Sequence, residues 1–109
     1  MINKTLIDAL KPICKNVYPD VYTGKETEYL VFTYDIRPDN FGDDFPFHLT
    51  YDVRVHYIAP LKKDVTATRI ALIRAISNID FATYPEETNA TDEDGQHFVY
   101  DFEMMGESY

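Results

Sequence analysis

From residue 48 to residue 64 the chain reads HLTYDVRVHYIAPLKKD, and Leu49, Tyr51, Val53, Val55 and Tyr57 take every second place. A period of two is the period of an extended strand, whose side chains point alternately to opposite faces. This stretch must therefore lay one face on a core and turn the other, with His48, Asp52, Arg54 and His56, away from it. With a rise of about 3.3 Å per residue, His48 and His56 stand roughly 26 Å apart, too far to share a metal ion. Asp52 and Arg54 are neighbours on that face, suited to an ion pair with each other or across strands to Asp101 or Glu103. The polar stripe reads as the outer face of a sheet.

The rest of the chain supplies partners for such a strand. Residues 28–36, EYLVFTYDI, alternate in the same way and put Leu30, Phe32, Tyr34 and Ile36 on one face. The strand containing the opening stretch should run from Phe47 to Ile58, with Pro60 ending it. A closing strand near HFVYDFE sets Phe98, Tyr100, Phe102 and Met104 on one face. Two segments carry helical spacing instead. Ile2, Leu6, Ala9, Leu10 and Ile13 share one side of a first helix with Asn3 as its N-cap, and Pro12 must stop or kink it. Val65, Leu72, Ile76 and Ile79 form the stripe of a second helix capped by Asp64, flanked by Ile73 and Ala75. VYPDVYTG and the residues from Phe81 to Tyr84 read as short extended pieces. The order predicts a single α+β domain over residues 1–109, an antiparallel sheet of about four strands with both helices packed on one face.

Composition narrows the class of function. At 109 residues, 45% hydrophobic and with nine Tyr and seven Phe, the chain is apolar enough to build a core without a disulfide, and its one cysteine forms none internally. No signal peptide and no membrane-spanning run is visible, which points to a protein that is intracellular when made. Residues 1–74 hold 10 acidic and 10 basic side chains, whereas residues 75–109 hold 9 acidic and none basic, so the whole net charge of -9 lies in the last third. Binding a nucleic-acid backbone requires clustered Lys and Arg, and beyond Lys62 and Lys63 there is no such cluster. The acidic end is either a solvated face or a surface that repels or mimics a polyanion.

Two segments stand out as contact surfaces. RPDNFGDDFPF, residues 37–47, has a loop composition yet contains three phenylalanines, so Arg37, Asp39, Phe41, Asp43, Asp44 and Phe45 are expected to form a partner-contact loop. The run PEETNATDEDGQ, read as a loop, carries Glu86, Glu87, Asp92, Glu93 and Asp94, which could face a channel. Asp92, Asp94 and Gly95 have the spacing of the middle of a calcium loop, but Ala90 and Asp101 then occupy the end positions where strong ligands belong. Cys14 lacks a basic activator and sits beside an apolar helix face, as a small hydrophobe would. Neither a glycine-rich phosphate loop nor a catalytic constellation emerges.

An N-terminal apolar helix, VY before a YLVF strand, a long loop, the strand TYDVRVHYIAP, an amphipathic helix and the closing HFVYDFE together resemble the small tail-terminator and head-tail joining proteins of long-tailed phages and prophages. The resemblance spans Ile2 to Met104. It implies a structural protein and not an enzyme, without cofactor or metal. Such a protein forms a homo-oligomeric ring, a hexamer, that caps the tail tube and docks to the head connector, in the host cytoplasm during assembly and then in the virion neck or tail. Its partners would be itself, tail-tube and head-connector proteins. DNA would pass through the ring without direct binding, and no membrane is involved. The length and acidity of the 37–47 loop depart from the family pattern. Two other classes stay open: an acidic stand-alone module, an inhibitor or immunity protein masking a basic partner, and a small enzyme with an undeclared pocket.

Overall fold

A computed structural model describes residues 2–39 and 48–108, with the side chains of Asp39, His48 and residues 106–108 left out. The elements follow in the order α1 (Ile2–Leu10), β1 (Val17–Pro19), β2 (Tyr29–Asp39), β3 (His48–Ala59), α2 (Thr66–Ser77), β4 (Glu86–Asn89) and β5 (Gln96–Ser108). They make an α+β domain in which five strands form one sheet in the order β1-β2-β3-β5-β4. The sheet is mixed. β1 lies parallel to β2, pairing Val17 to Pro19 with Leu30 to Phe32, and all other neighbours are antiparallel.

The register turns the sequence alternation into a continuous apolar face. Leu30, Tyr57 and Phe98 lie side by side across β2, β3 and β5, followed by Phe32, Val55 and Tyr100, and then by Tyr34, Val53 and Phe102. Leu6 and Leu10 of α1 and Leu72 and Ile76 of α2 are fully buried in the same cluster, so both helices cover this one face. Each such side chain contributes about 1.5–3 kcal/mol on leaving water, which makes these rows the main source of stability.

Several expected boundaries move. Asn3 is not a cap, because α1 already includes Ile2; its Oδ1 instead accepts a 2.6 Å hydrogen bond from the Tyr34 hydroxyl, tying α1 to β2. α1 stops at Leu10, two residues before Pro12. Val65 and not Asp64 stands at the N-cap of α2, yet the Asp64 carboxylate still accepts the Thr66 N–H at 3.1 Å. Arg37 and Asp39, expected in a loop, belong to β2, because their backbones keep pairing with Thr50 and His48. Phe41, Asp43, Asp44 and Phe45 lie outside the described residues. Within the expected acidic loop Glu86 to Asn89 form β4, held by pairing with Asp101 to Phe98.

Beyond the third apolar row the sheet runs on. Ile36, Tyr51 and Met104 form a fourth row, and β5 continues to Ser108. Ile36 was expected in the core and does sit on the core face, yet at the β2 end of this row it is 55% exposed, while Met104 at the β5 end is buried. The domain measures 53 Å in its long direction against 25 and 24 Å in the others. Residues 82 and 83 follow the outer edge of this extension, where Ala82 bridges to Met104 and the Thr83 N–H donates to the Glu103 carbonyl at 2.8 Å.

Candidate interaction surface

Two side-chain clasps tie α2 and the loop before it to the sheet. Tyr100, fully buried on β5, donates to Glu87 at 2.6 Å, and Glu87 takes a two-pronged contact from Arg69 of α2 at 3.0 and 2.6 Å. Arg69 also stacks over the Phe98 ring, 4.2 Å from its centre. Tyr57 on β3 donates to Glu28, which Lys63 reaches at 2.6 Å. Burial first, and then the facing carboxylate, push both phenols well above the usual tyrosine range. The Arg69 hydrogen bond foremost, aided by Tyr100, holds Glu87 below the ordinary carboxylate range. Glu87, expected to face a channel, is thus turned into the helix–sheet clasp.

The other acidic residues are exposed. Glu86 stands on the outer sheet face in register with Asp101. Asp92, Glu93 and Asp94 make the tip of the β4–β5 hairpin, where the Asp92 carboxylate accepts the Asp94 N–H at 2.9 Å and Asn89 accepts the Thr91 N–H at 3.0 Å. These side-chain-to-backbone turns shape the tip locally. A side chain at Gly95 would put its Cβ 3.2 Å from the Ala59 carbonyl oxygen, so the close approach of hairpin and β3 favours glycine there.

The outer face carries the stripe with which the sequence began. Arg54 pairs with Asp101 at 2.8 Å, one of the cross-strand partners expected for it. Asp52 pairs instead with Arg37 at 3.0 Å, and the same guanidinium reaches Glu103 at 2.9 Å. Arg37 is therefore part of an ion network on the sheet. A groove of about 420 Å³ crosses this face, floored by Thr33, Asp35, Asp52 and Arg54 and walled by Tyr84 and Glu86. Tyr84 is 83% exposed.

His56 meets His97 of β5 across the strands, Nδ1 to Nε2 at 2.8 Å. One ring donates and the other accepts, so the bond requires that at least one imidazole be neutral. Burial first and then the neighbouring His97 push the His56 pKa down. Sequence spacing could place His56 on the face but gave no register with a strand some forty residues later. Cys14 is half-buried with its thiol pKa raised by burial, the opposite of an activated nucleophile. Among the described residues no three His, Cys, Asp or Glu side chains converge to hold a metal ion, and no helix is long and apolar enough to cross a membrane. The surface offers ion pairs, open strand edges and exposed aromatic rings, which suit contact with other macromolecules. No model of a known protein family matches the sequence, and a search of curated proteins returned no match.

Proposed function

We propose that the chain is a structural protein of a phage or prophage neck or tail that assembles into a ring, a hexamer, terminating the tail tube and joining it to the head connector. The observation that carries this reading is the extension of the sheet past the end of β1, where no further strand pairs with β2 among the described residues. β1 lines β2 only as far as Phe32, while β2 continues to Asp39, and the extension exposes Ile36 and Met105 by 55% and 51%. Long strand edges and apolar side chains outside a core invite pairing with other chains, and a closed ring gives every copy the same neighbours without open-ended growth. The carboxylates of Asp92, Glu93 and Asp94 at the hairpin tip suit a channel wall, since like charge keeps DNA from adhering.

Electron microscopy of the protein mixed with tail tubes or connectors from the same genome tests this. Rings seated on tube ends are the expected result, and failure to bind either structure removes the proposal. Replacing Asp92, Glu93 and Asp94 by Lys should leave the fold intact and slow DNA passage through assembled particles. Unchanged passage would mean that the tip is only solvated.

A further inference from the structure

On the outer face Asp35, Asp52 and Glu103 lie directly opposite one another on β2, β3 and β5. Like charges at directly paired positions destabilise a sheet. Arg37 bridges Asp52 and Glu103 and so relieves part of the repulsion, but Asp35 makes no hydrogen bond or ion pair among the described residues. One step along the strands, the row of Arg54 and Asp101 ends in Glu86, which is also without such a partner. Both arginines of the face are occupied by its own carboxylates. What the groove shows to the outside is therefore negative, at both ends.

Its apolar component is Tyr84. Thr83 accepts the Glu103 N–H at 2.9 Å through its hydroxyl and donates its own N–H back at 2.8 Å, which anchors the backbone next to Tyr84. An exposed tyrosine on an anchored backbone is the kind of residue that interfaces use, because ordering it costs little. The two unpaired carboxylates stand three strand spacings apart, about 14 Å, and one two-residue step along. In an extended chain residues i and i+4 are about 13 Å apart and point the same way, and lysine or arginine side chains span the remainder.

We infer that this groove is the docking surface for an extended, cationic segment of a protein partner, whose two basic side chains pair with Asp35 and Glu86 and whose intervening residues lie against Tyr84. Within the sheet Asp35 has only the longer-range attraction of Arg54, whose hydrogen bond goes to Asp101, and the partner's cations supply the direct pairing that Asp35 and Glu86 do not make among the described residues. This goes beyond the ring reading and does not depend on it, since it concerns the outer face and not the strand edges.

The probe is the end-blocked pentapeptide Lys-Ser-Val-Ser-Lys, titrated into the ¹⁵N-labelled protein at low salt, with its Glu-for-Lys counterpart as control. Amide shifts should cluster at Thr33, Asp35, Arg54, Tyr84 and Glu86, and the counterpart should produce none of them. The double variant Asp35→Asn with Glu86→Gln should weaken the lysine peptide at least five-fold. The variant Asp92→Asn with Asp94→Asn, which changes net charge equally, should leave its affinity unchanged. Asp35→Asn alone should melt close to the parent, because it removes the like-charge contact with Asp52 together with the longer-range attraction to Arg54, so lost binding cannot be blamed on lost folding. Equal weakening by both double variants, shifts centred on the hairpin tip, or no shifts at all would each overturn the inference.

Discussion

Raising the pH from 8 to 11 should destabilise this protein through two tyrosines. Tyr57 and Tyr100 are fully buried, and each hydroxyl donates to a carboxylate. Both phenol pKa values are raised, so the folded chain keeps these protons where the unfolded chain has lost them. The stabilisation is complete below the unfolded value, near pH 10, and is lost as the pH rises above it. One unit above that value the ionisation of each unfolded tyrosine favours unfolding by about 1.4 kcal/mol, or about 2.8 kcal/mol for the pair. That is a large part of a typical 5–15 kcal/mol for a small domain, by order of magnitude about a third. The comparison is the double variant Tyr57→Phe with Tyr100→Phe, which cannot ionise there. At pH 8 it should be less stable by roughly 1.5–3 kcal/mol per lost hydrogen bond to a charged acceptor. By pH 11 the gap should have narrowed by about 2.8 kcal/mol, since only the parent has these two protons to lose. Urea unfolding followed by circular dichroism at pH 8, 9.5 and 11 measures both curves. A gap that stays constant with pH would refute the reasoning.

Other outcomes follow from the same contacts. Arg69→Ala should destabilise by roughly 2 kcal/mol, because it strips a half-buried carboxylate of its partner, and Glu87→Gln should do less harm. Glu87 has a depressed pKa, so its share of stability is present above the usual carboxylate value and disappears as the pH falls through the folded one; thermal melts between pH 5 and 2.5 should show a flatter decline in Glu87→Gln. The lowered His56 pKa makes its stabilisation complete above about pH 6.5 and lost as the pH falls through the folded value, so His56→Gln should flatten the acid side of the profile. Ile36→Ser with Met105→Ser should shift stability by only about 0.5 kcal/mol each and yet abolish ring formation, read by light scattering and microscopy.

What could be read from the sequence was whatever depends on a local period. The two-residue alternation located β2, β3 and β5 and chose their core faces, and Val65, Leu72, Ile76 and Ile79 of the expected stripe are all buried. Features that depend on which strand lies beside which could not be read. Val17 to Pro19 are too few to show a period, and they form a strand only because β2 offers an edge. Glu86 to Asn89 have poor strand propensity and are held by β5 and by the Glu87 clasp. The His56–His97 contact and the row of Asp35, Asp52 and Glu103 are products of register, invisible until distant strands are aligned. Arg54 with Asp101 was foreseeable because both carry charge on predicted outer faces, whereas the bond from Asp52 to Arg37 required knowing that β2 continues past Ile36.

The strand order also bears on when the chain can fold. β3 is flanked by β2, its neighbour in sequence, and by β5, which is reached only after α2 and β4. On a ribosome the helix α1 and the strands up to Ala59 emerge first, with one flank of β3 bare and Val53, Val55 and Tyr57 lacking their neighbours Phe102, Tyr100 and Phe98. Loop closure over that distance is entropically costly, and no local contact can stand in for the missing strand. The nascent chain therefore holds a sticky half-sheet until residues 96–108 are released, and a chaperone that shelters β3 in that interval would raise the yield of native protein more than one acting on the finished domain.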